Sequence, residues 1–211
     1  MSNQELASRV TRILSDPWSQ KIKFTLCGCF TNLRVDGYQL VVDAIARGKI
    51  TCEVGVPPNP NHRAGSHTEC RYTPENRQLH FPNEQYGSIT GPETFNIVHE
   101  ATHAAFDCRY GNHAGTQILA MDDEAAAFFA QAVYSRISPY SWNGTIVEGD
   151  PIDEALKLAD RIMHPPGRVS QPPYWVPEQD LDQLLLSIQR PDQYDLQGGK
   201  AGITHTYYGL A

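Results

Sequence analysis

The chain has 211 residues, of which 40% are hydrophobic and 19% charged, fractions typical of an ordinary globular protein. This length is sufficient for one well-buried domain, and the net charge of −7 argues against a nucleic-acid partner, which would usually need a basic face. No segment has the roughly 20 apolar residues of a transmembrane helix, so the sequence also argues against a membrane partner.

The first half of the sequence predicts two helices and four strands. Apolar residues recur with a helical period in 4–14 and in YQLVVDAIARG at 38–48, and Asp36 is predicted to cap the second helix. Runs bounded by turn signals predict strands at 21–30, 49–56, 69–72 and 77–81. The last two strands are joined through the turn TPEN.

The second half begins with two predicted helices. Thr90 and Glu93 match a capping box, Pro92 suits a first helical turn, and good helix formers continue to about residue 106. The next helix is predicted from Asp122 or Asp123 to about residue 136, because paired aspartates suit a helix N-terminus.

Two further helices and a strand-like tail complete the predicted elements. Asp150 and Pro151 mark the start of a helix that extends to residue 163, and another follows at 178–189. Between them is a proline-rich connection at 164–177, and after them a tail at 195–211 with glycines first and aromatic residues last. No linker is evident, so we predict a single compact α+β domain over residues 1–211.

The segment FNIVHEATHAAFDC, at 95–108, combines an apolar helical pattern with His99, Glu100 and His103. Positions i and i+4 lie on the same face of a helix, so the two histidines can each present a ring nitrogen to one ion. Glu100 is rotated by about a third of a turn, where it can accept a proton from a zinc-activated water. These are the roles expected of a His-Glu-x-x-His motif.

Chance is a poor explanation for this motif. Eight histidines and eleven glutamates in 211 residues would produce about 0.016 such motifs in an unordered sequence. The alternative interpretation is a pair of surface histidines on an amphipathic helix.

A catalytic zinc usually has a third protein ligand, and three residues were considered for that position. Asp107 is eight positions from His99, about 12 Å along a straight helix, and is excluded. His113 would require the chain to turn at RYGNHAG and does not fit the spacing of a third histidine in metzincins. Glu124, 21 positions after His103 near the start of the next helix, is the predicted ligand.

VHEATHAAF followed by DDEAAAFFAQAV resembles the zincin metallopeptidases of the gluzincin type, over about residues 77–134. The resemblance implies a compact zincin-like fold in which a small sheet borders the helix of the motif. It also implies that His99, His103 and Glu124 bind Zn²⁺ and that Glu100 is the general base. RQLHF at 77–81 would be the edge strand beside the substrate cleft.

One position departs from the family pattern. Many gluzincins have an aspartate four residues after the third ligand, where it orients the first histidine, and this sequence has Phe128 there. Asp122 or Asp123 is the expected substitute, because a metal-bound histidine nearly always donates its other N–H to an acceptor. Asp123 is also the alternative to Glu124 as third ligand.

Peptide hydrolysis further needs a donor for the developing oxyanion. His205 is the candidate if the tail returns over the cleft, with Tyr110, His113, Tyr207 and Tyr208 as alternatives. The remaining histidines are predicted to be surface residues: His62, His67, His80 and His164.

Five cysteines, an odd and widely spaced set, predict reduced thiols and leave one disulfide possible. Cys27 and Cys29 have no second cysteine pair at finger-like spacing, so both are predicted to be buried strand residues.

These features predict a zinc-dependent metallopeptidase that acts on a peptide or protein substrate. One alternative is a toxin-like effector peptidase, which would have an inhibitor or immunity protein as partner; another is a zinc-stabilised scaffold without turnover. The N-terminus MSNQELASRVTRIL lacks the apolar core of a signal peptide, so the expected location is the cytoplasm, or outside it after signal-peptide-independent export.

Overall fold

The computed structural model describes residues 2–28, 32–55, 70–88, 91–110, 116–140, 146–189, 204–207 and 209. Within these residues the chain forms a compact α+β fold, as predicted. The helices are α1 (Ser2–Leu14), α2 (Gln39–Ala46), α3 (Pro92–Tyr110), α4 (Ala120–Ile137), α5 (Pro151–Met163) and α6 (Glu178–Ile188). The strands are β1 (Lys23–Leu26), β2 (Leu33–Asp36), β3 (Thr51–Val54), β4 (Arg71–Thr73), β5 (Gln78–Phe81), β6 (Thr116–Leu119), β7 (Tyr174–Val176) and β8 (Thr204–Tyr207).

The strands of the described residues form three small sheets. The first has the order β2-β1-β7, with β1 antiparallel to β2 and parallel to β7. The second has the order β3-β5-β4, with β5 parallel to β3 and antiparallel to β4. The third is the antiparallel pair β6-β8, in which Ile118 lies opposite His205. Strands of three or four residues bury little surface, so each sheet depends on helices packed against it.

Helices α3 and α4 form the centre of the molecule and pack against each other, and α4 also packs against α5. Their contact is rich in buried alanines, which allow two helix backbones to approach closely. Large aromatic side chains fill the space around this pair, and Phe95, Phe106 and Phe129 are fully buried. The polar groups of the predicted site therefore lie on the two central helices, α3 and α4.

The observed starts of α3 and α4 agree only in part with the predicted starts. Pro92 is the first residue of α3, as predicted, and Glu93 accepts a hydrogen bond from the Gly87 N–H at 2.7 Å. Thr90 lies outside the described residues. Helix α4 begins at Ala120, two residues before the paired aspartates, so Asp122 and Asp123 do not cap it and are buried in its first turn.

The sequence did not predict three short strands. Strand β2 occupies the place where Asp36 was predicted to cap a helix: Asp36 ends the strand and pairs with Lys23 and Arg34, and α2 begins three residues later. Strand β7 lies inside the proline-rich connection, and β6 precedes α4 directly. Each has only three or four residues, which is too short for a period to be visible.

The predicted edge strand is a central strand. RQLHF contains β5, which has β3 on one side and β4 on the other, so the prediction that it borders the cleft as an edge was wrong. Strand β4, from the preceding ECRY segment, is one of the two edge strands of this sheet, the other being β3, and it packs against α3.

The cysteines of the described residues are free thiols, in agreement with the predicted reduced state. Cys52 and Cys70 are buried, whereas Cys27 and Cys108 are partly exposed. Cys29 lies outside the described residues, and the prediction of a buried strand residue was wrong for Cys27, which lies just beyond β1 and is partly exposed. Across the part of the chain that the structure describes, none of the helices has the length and apolar character needed to cross a membrane.

Candidate metal centre

His99 and His103 lie one turn apart on α3, and their ring centroids are 5.2 Å apart. Between them, Ala101 and Thr102 are fully buried, and Thr102 is hydrogen-bonded to the Tyr38 hydroxyl, away from the two histidines. The ligand atoms of His99, Glu100 and His103 lie within 4.8 Å of one another. This is the arrangement that the i, i+4 spacing predicts.

Glu124 faces His99 from the second turn of α4. Its Oε2 atom is 3.3 Å from His99 Nε2, and both side chains are largely buried, with 15% and 12% of their surface exposed. Two ligand atoms that share a tetrahedral zinc lie about 3.3–3.5 Å apart. The separation of this pair therefore fits one metal ion, and a donor set of two imidazoles and one carboxylate suits zinc. Among the described residues, however, the three predicted ligands His99, His103 and Glu124 do not form a group with all ligand atoms within 4.8 Å of one another.

Glu100 points toward the edge strand of the second sheet. Its Oε2 accepts a hydrogen bond of 2.7 Å from the backbone N–H of Tyr72 in β4. Burial raises the pKa of Glu100, although the nearby charges of His103 and His99 oppose that rise. A carboxyl group with a raised pKa beside two histidines suits a proton acceptor at near-neutral pH.

Asp123, which is fully buried, binds three donors with its two oxygens. Oδ1 is 2.8 Å from His103 Nδ1, and Oδ2 accepts hydrogen bonds from His205 Nδ1 and, at 2.5 Å, from the Tyr207 hydroxyl. Burial alone would raise the pKa of Asp123, but the hydrogen bonds and charges of His103 and His205 outweigh it and lower that pKa. Conversely, burial would lower the pKa of His103, but Asp123 raises it to about 10.

The contacts of Asp123 define its place in the site. A metal-binding histidine usually donates its other ring N–H to a carboxylate or carbonyl, and Asp123 is in that position for His103. His103, Asp123 and His205 also bring ligand atoms within 4.8 Å of one another. The Asp123 oxygens of this second group already accept three hydrogen bonds, so the carboxylate is satisfied by protein donors.

Phe128 occupies the position where many gluzincins have an aspartate. Its ring packs edge-on against His99, with centroids 4.7 Å apart, so it restricts that imidazole by contact and without a hydrogen bond.

The C-terminal tail reaches the site, as the candidate role of His205 required. The His205 ring centroid is 6.2 Å from that of His103, and 38% of its side chain is exposed. Tyr207 is fully buried with its hydroxyl on Asp123, and the Tyr110 hydroxyl lies near Arg34 N and Asn32 O of the β2 region. Because of these contacts, neither tyrosine hydroxyl is placed to donate a hydrogen bond to an oxyanion. His113 and Tyr208 lie outside the described residues.

Asp107, excluded as a ligand by its spacing, has other partners. It is fully buried and accepts hydrogen bonds from the Tyr72 hydroxyl at 2.6 Å and the Gly209 N–H at 2.8 Å. The sequence held no signal for the role of Tyr72, because its bond to Glu100 uses the backbone.

Among the histidines predicted to be surface residues, His164 is exposed and His80 is not. His80 is buried in β5, where its ring nitrogens lie 3.1 Å from Thr73 Oγ1 and 3.1 Å from Gly55 O. That prediction was wrong because β5 is a central strand whose side chains are covered on both faces. His62 and His67 lie outside the described residues.

Comparison with known proteins identifies no relative: no protein-family model matches the sequence, and no curated protein or solved structure matches it significantly.

Proposed function

We propose that this chain is a zinc-dependent peptidase in which His99, His103 and Glu124 hold the ion. The observation that carries the proposal is the 3.3 Å separation of His99 Nε2 and Glu124 Oε2, next to Glu100 and His103, whose ligand atoms lie within 4.8 Å of each other and of a His99 ring nitrogen. When bound, zinc would supply Lewis acidity, which polarises the scissile carbonyl and lowers the pKa of water. The substrate is a peptide or a protein.

Glu100 is the proposed general base. The Tyr72 N–H holds one carboxylate oxygen, which leaves the other to accept a proton from the attacking water. The hydroxyl of that water adds to the carbonyl carbon, and Glu100 then delivers the proton to the amine as the C–N bond breaks. Water is thus divided across the peptide bond with no other reactant.

His205 is the proposed oxyanion donor. Burial would lower the pKa of His205, but the hydrogen bond and charge of Asp123 at Nδ1 raise it. This favours the imidazolium form, in which Nε2–H can donate to the oxyanion. Its partial exposure supports contact with a bound peptide, in contrast with the buried Tyr207.

Zinc binding tests the ligand assignment. We expect one zinc per chain in the parent protein, and loss of that zinc in His99→Ala, His103→Ala and Glu124→Ala, because each removes one of three protein ligands. Metal analysis after dialysis measures the stoichiometry. His164→Ala, which changes an exposed histidine outside the site, is the control. Full zinc occupancy in the His99→Ala, His103→Ala double variant would refute the metal centre.

Glu100→Gln separates an enzyme from a zinc-stabilised scaffold. The substitution removes the proton acceptor and keeps the shape of the side chain, so zinc content and melting temperature should stay close to those of the parent. Cleavage of a broad peptide library should fall by about 10²–10⁴-fold, the usual contribution of a general base. Equal cleavage by parent and variant would refute the role of Glu100. A zinc-loaded parent that cleaves nothing in the library would favour the scaffold.

A further inference from the structure

Asp123 connects the two histidines of the site that belong to different parts of the chain. Its Oδ1 binds His103 of α3, and its Oδ2 binds His205 and Tyr207 of β8, residues 82 and 84 positions away in the sequence. None of its side chain is exposed to solvent. A buried carboxylate is costly unless it is fully hydrogen-bonded, and these three donors satisfy that requirement.

The path of the backbone explains how one carboxylate reaches both rings. Strand β6 ends at Leu119 and α4 begins at the next residue, so Asp123 and the strand that pairs with β8 belong to one continuous segment. The register of that pair puts Ile118 opposite His205. The tail is therefore aligned with the first turn of α4 by strand pairing, and the Tyr207 hydroxyl adds a second bond to the same oxygen.

A carboxylate that accepts a hydrogen bond from Nδ1–H fixes the orientation of an imidazole ring and also keeps a proton on Nδ1. For both His103 and His205 the engaged nitrogen is Nδ1, so Nε2 is the atom left for a metal or a substrate. The ring centroids are only 6.2 Å apart, close enough for both Nε2 atoms to serve one reacting group.

We propose that Asp123 is a positioning residue that sets the orientation and Nδ1 protonation of His103 and His205 together, so that the metal-side histidine and the tail histidine act as one unit. The proposal rests on the proposed function for the roles of the two histidines. It adds that a single carboxylate serves both, and that Tyr207 holds that carboxylate in place.

Asp123→Asn is the principal test, with Asp107→Asn as the matched control. Both change a fully buried carboxylate to an amide, and both touch the tail, but Asp107 binds Gly209 N–H and the Tyr72 hydroxyl. We expect Asp123→Asn to weaken zinc binding by about 10–100-fold, the usual effect of losing a partner of a metal-bound histidine. Asp107→Asn should bind zinc as the parent does. Competition with a chelating dye measures both affinities.

NMR of the imidazole nitrogens supplies a readout that does not depend on catalysis. In the metal-free parent we expect two Nδ1–H proton signals protected from exchange, one each from His103 and His205. His205→Ala should remove one of them, Asp123→Asn both, and Asp107→Asn neither. Tyr207→Phe should shift both signals, because it changes the donors on the shared carboxylate; this variant keeps the test valid if Asp123→Asn does not fold.

The two proposals fail in different ways. A parent protein that binds no zinc would refute the proposed function, and the NMR spectra would still decide the role of Asp123. An Asp123→Asn variant that retains both Nδ1–H signals and the zinc affinity of the parent would overturn the positioning role. So would Nδ1–H signals that are unchanged in Tyr207→Phe.

Discussion

Asp36 at the end of β2 is a surface carboxylate surrounded by three cations. Lys23 Nζ lies 3.3 Å, Arg34 2.9 Å and Arg109 3.8 Å from its oxygens. Burial is the largest single effect and would raise the pKa of Asp36, but the hydrogen bond and charge of Lys23, followed by the charges of Arg34 and Arg109, together outweigh it and lower that pKa. Because its side chain is 34% exposed, solvent screens these interactions.

The Asp36 cluster predicts a pH-dependent contribution to stability. The folded pKa of Asp36 lies below its unfolded value of about 3.9, so its stabilisation is present above about pH 4 and is lost as pH falls through the folded pKa. We expect Asp36→Asn to lower the free energy of unfolding by up to about 1 kcal/mol at pH 7, and by much less at about pH 3. Urea unfolding at both pH values measures the difference.

Asp43→Asn provides a comparison for that measurement. Asp43 faces one cation, Arg47, at 3.6 Å, and also accepts a hydrogen bond from Gln39 that an amide oxygen can retain. At pH 7, Asp43→Asn should therefore lower the free energy of unfolding by less than Asp36→Asn does. A destabilisation by Asp36→Asn that is equally large at pH 3 would contradict the electrostatic explanation.

At the scale of elements, β1, β7 and α6 meet at Gly28. Cys27 N–H donates to Val176 O at 2.9 Å, which extends the parallel pairing of β1 with β7. Gly28 has φ of +89°, and a Cβ atom there would lie 2.3 Å from Cβ of Glu178, the first residue of α6. The glycine between Cys27 and Cys29 thus permits a close approach of strand and helix.

Gly28→Ala should destabilise the fold more than Gly48→Ala. Gly48 also has a positive φ, +67°, but no atom lies within 4 Å of the Cβ position, so its substitution adds only backbone strain of about 1–2 kcal/mol. Gly28→Ala adds overpacking of about 1–3 kcal/mol to that strain. Chemical denaturation of both variants measures the difference, and equal stabilities would show that α6 moves away at no cost.

For the whole molecule, the candidate metal centre lies between its two central helices. His99 and His103 come from α3 and Glu124 from α4, so a bound ion would connect the helices that pack around the common core. A ligand that binds only the folded state stabilises it by mass action. Metal binding is therefore expected to stabilise the whole domain together with the site.

Thermal unfolding with and without zinc tests this link and the prediction of one domain over 1–211. At a free zinc concentration 100 times Kd, stabilisation is about 2.7 kcal/mol, which corresponds to an increase in Tm of about 5–10 °C for a chain of this size. We expect a single transition in calorimetry, with no zinc-induced shift in the His99→Ala, His103→Ala double variant. Two transitions, of which only one responds to zinc, would contradict a single domain.

The sequence by itself determined the local features of the site. The spacing of His99 and His103 places them on one helix face because the helical period is intrinsic to the backbone. The helix starts were predicted to within about three residues, and most accurately where proline is the first helical residue, as in α3 and α5, because proline acts locally. The α+β class followed from the same local signals, and Glu124 was predicted as a ligand from its place near the start of the next helix, where the structure places it 3.3 Å from His99.

Only the tertiary structure decided how distant segments complete the site. The bond of Asp123 to His205 joins residues 82 positions apart, and the bond of Glu100 to the Tyr72 N–H uses a backbone group that any residue type would supply. Strand β5 is central and β4 is at an edge because β3 pairs with β5 and not with β4. Strand pairing joins segments that are distant in the sequence, and these strands are too short to show a period. The pattern of side chains along the chain therefore does not reveal these contacts, which form only when the segments pack together.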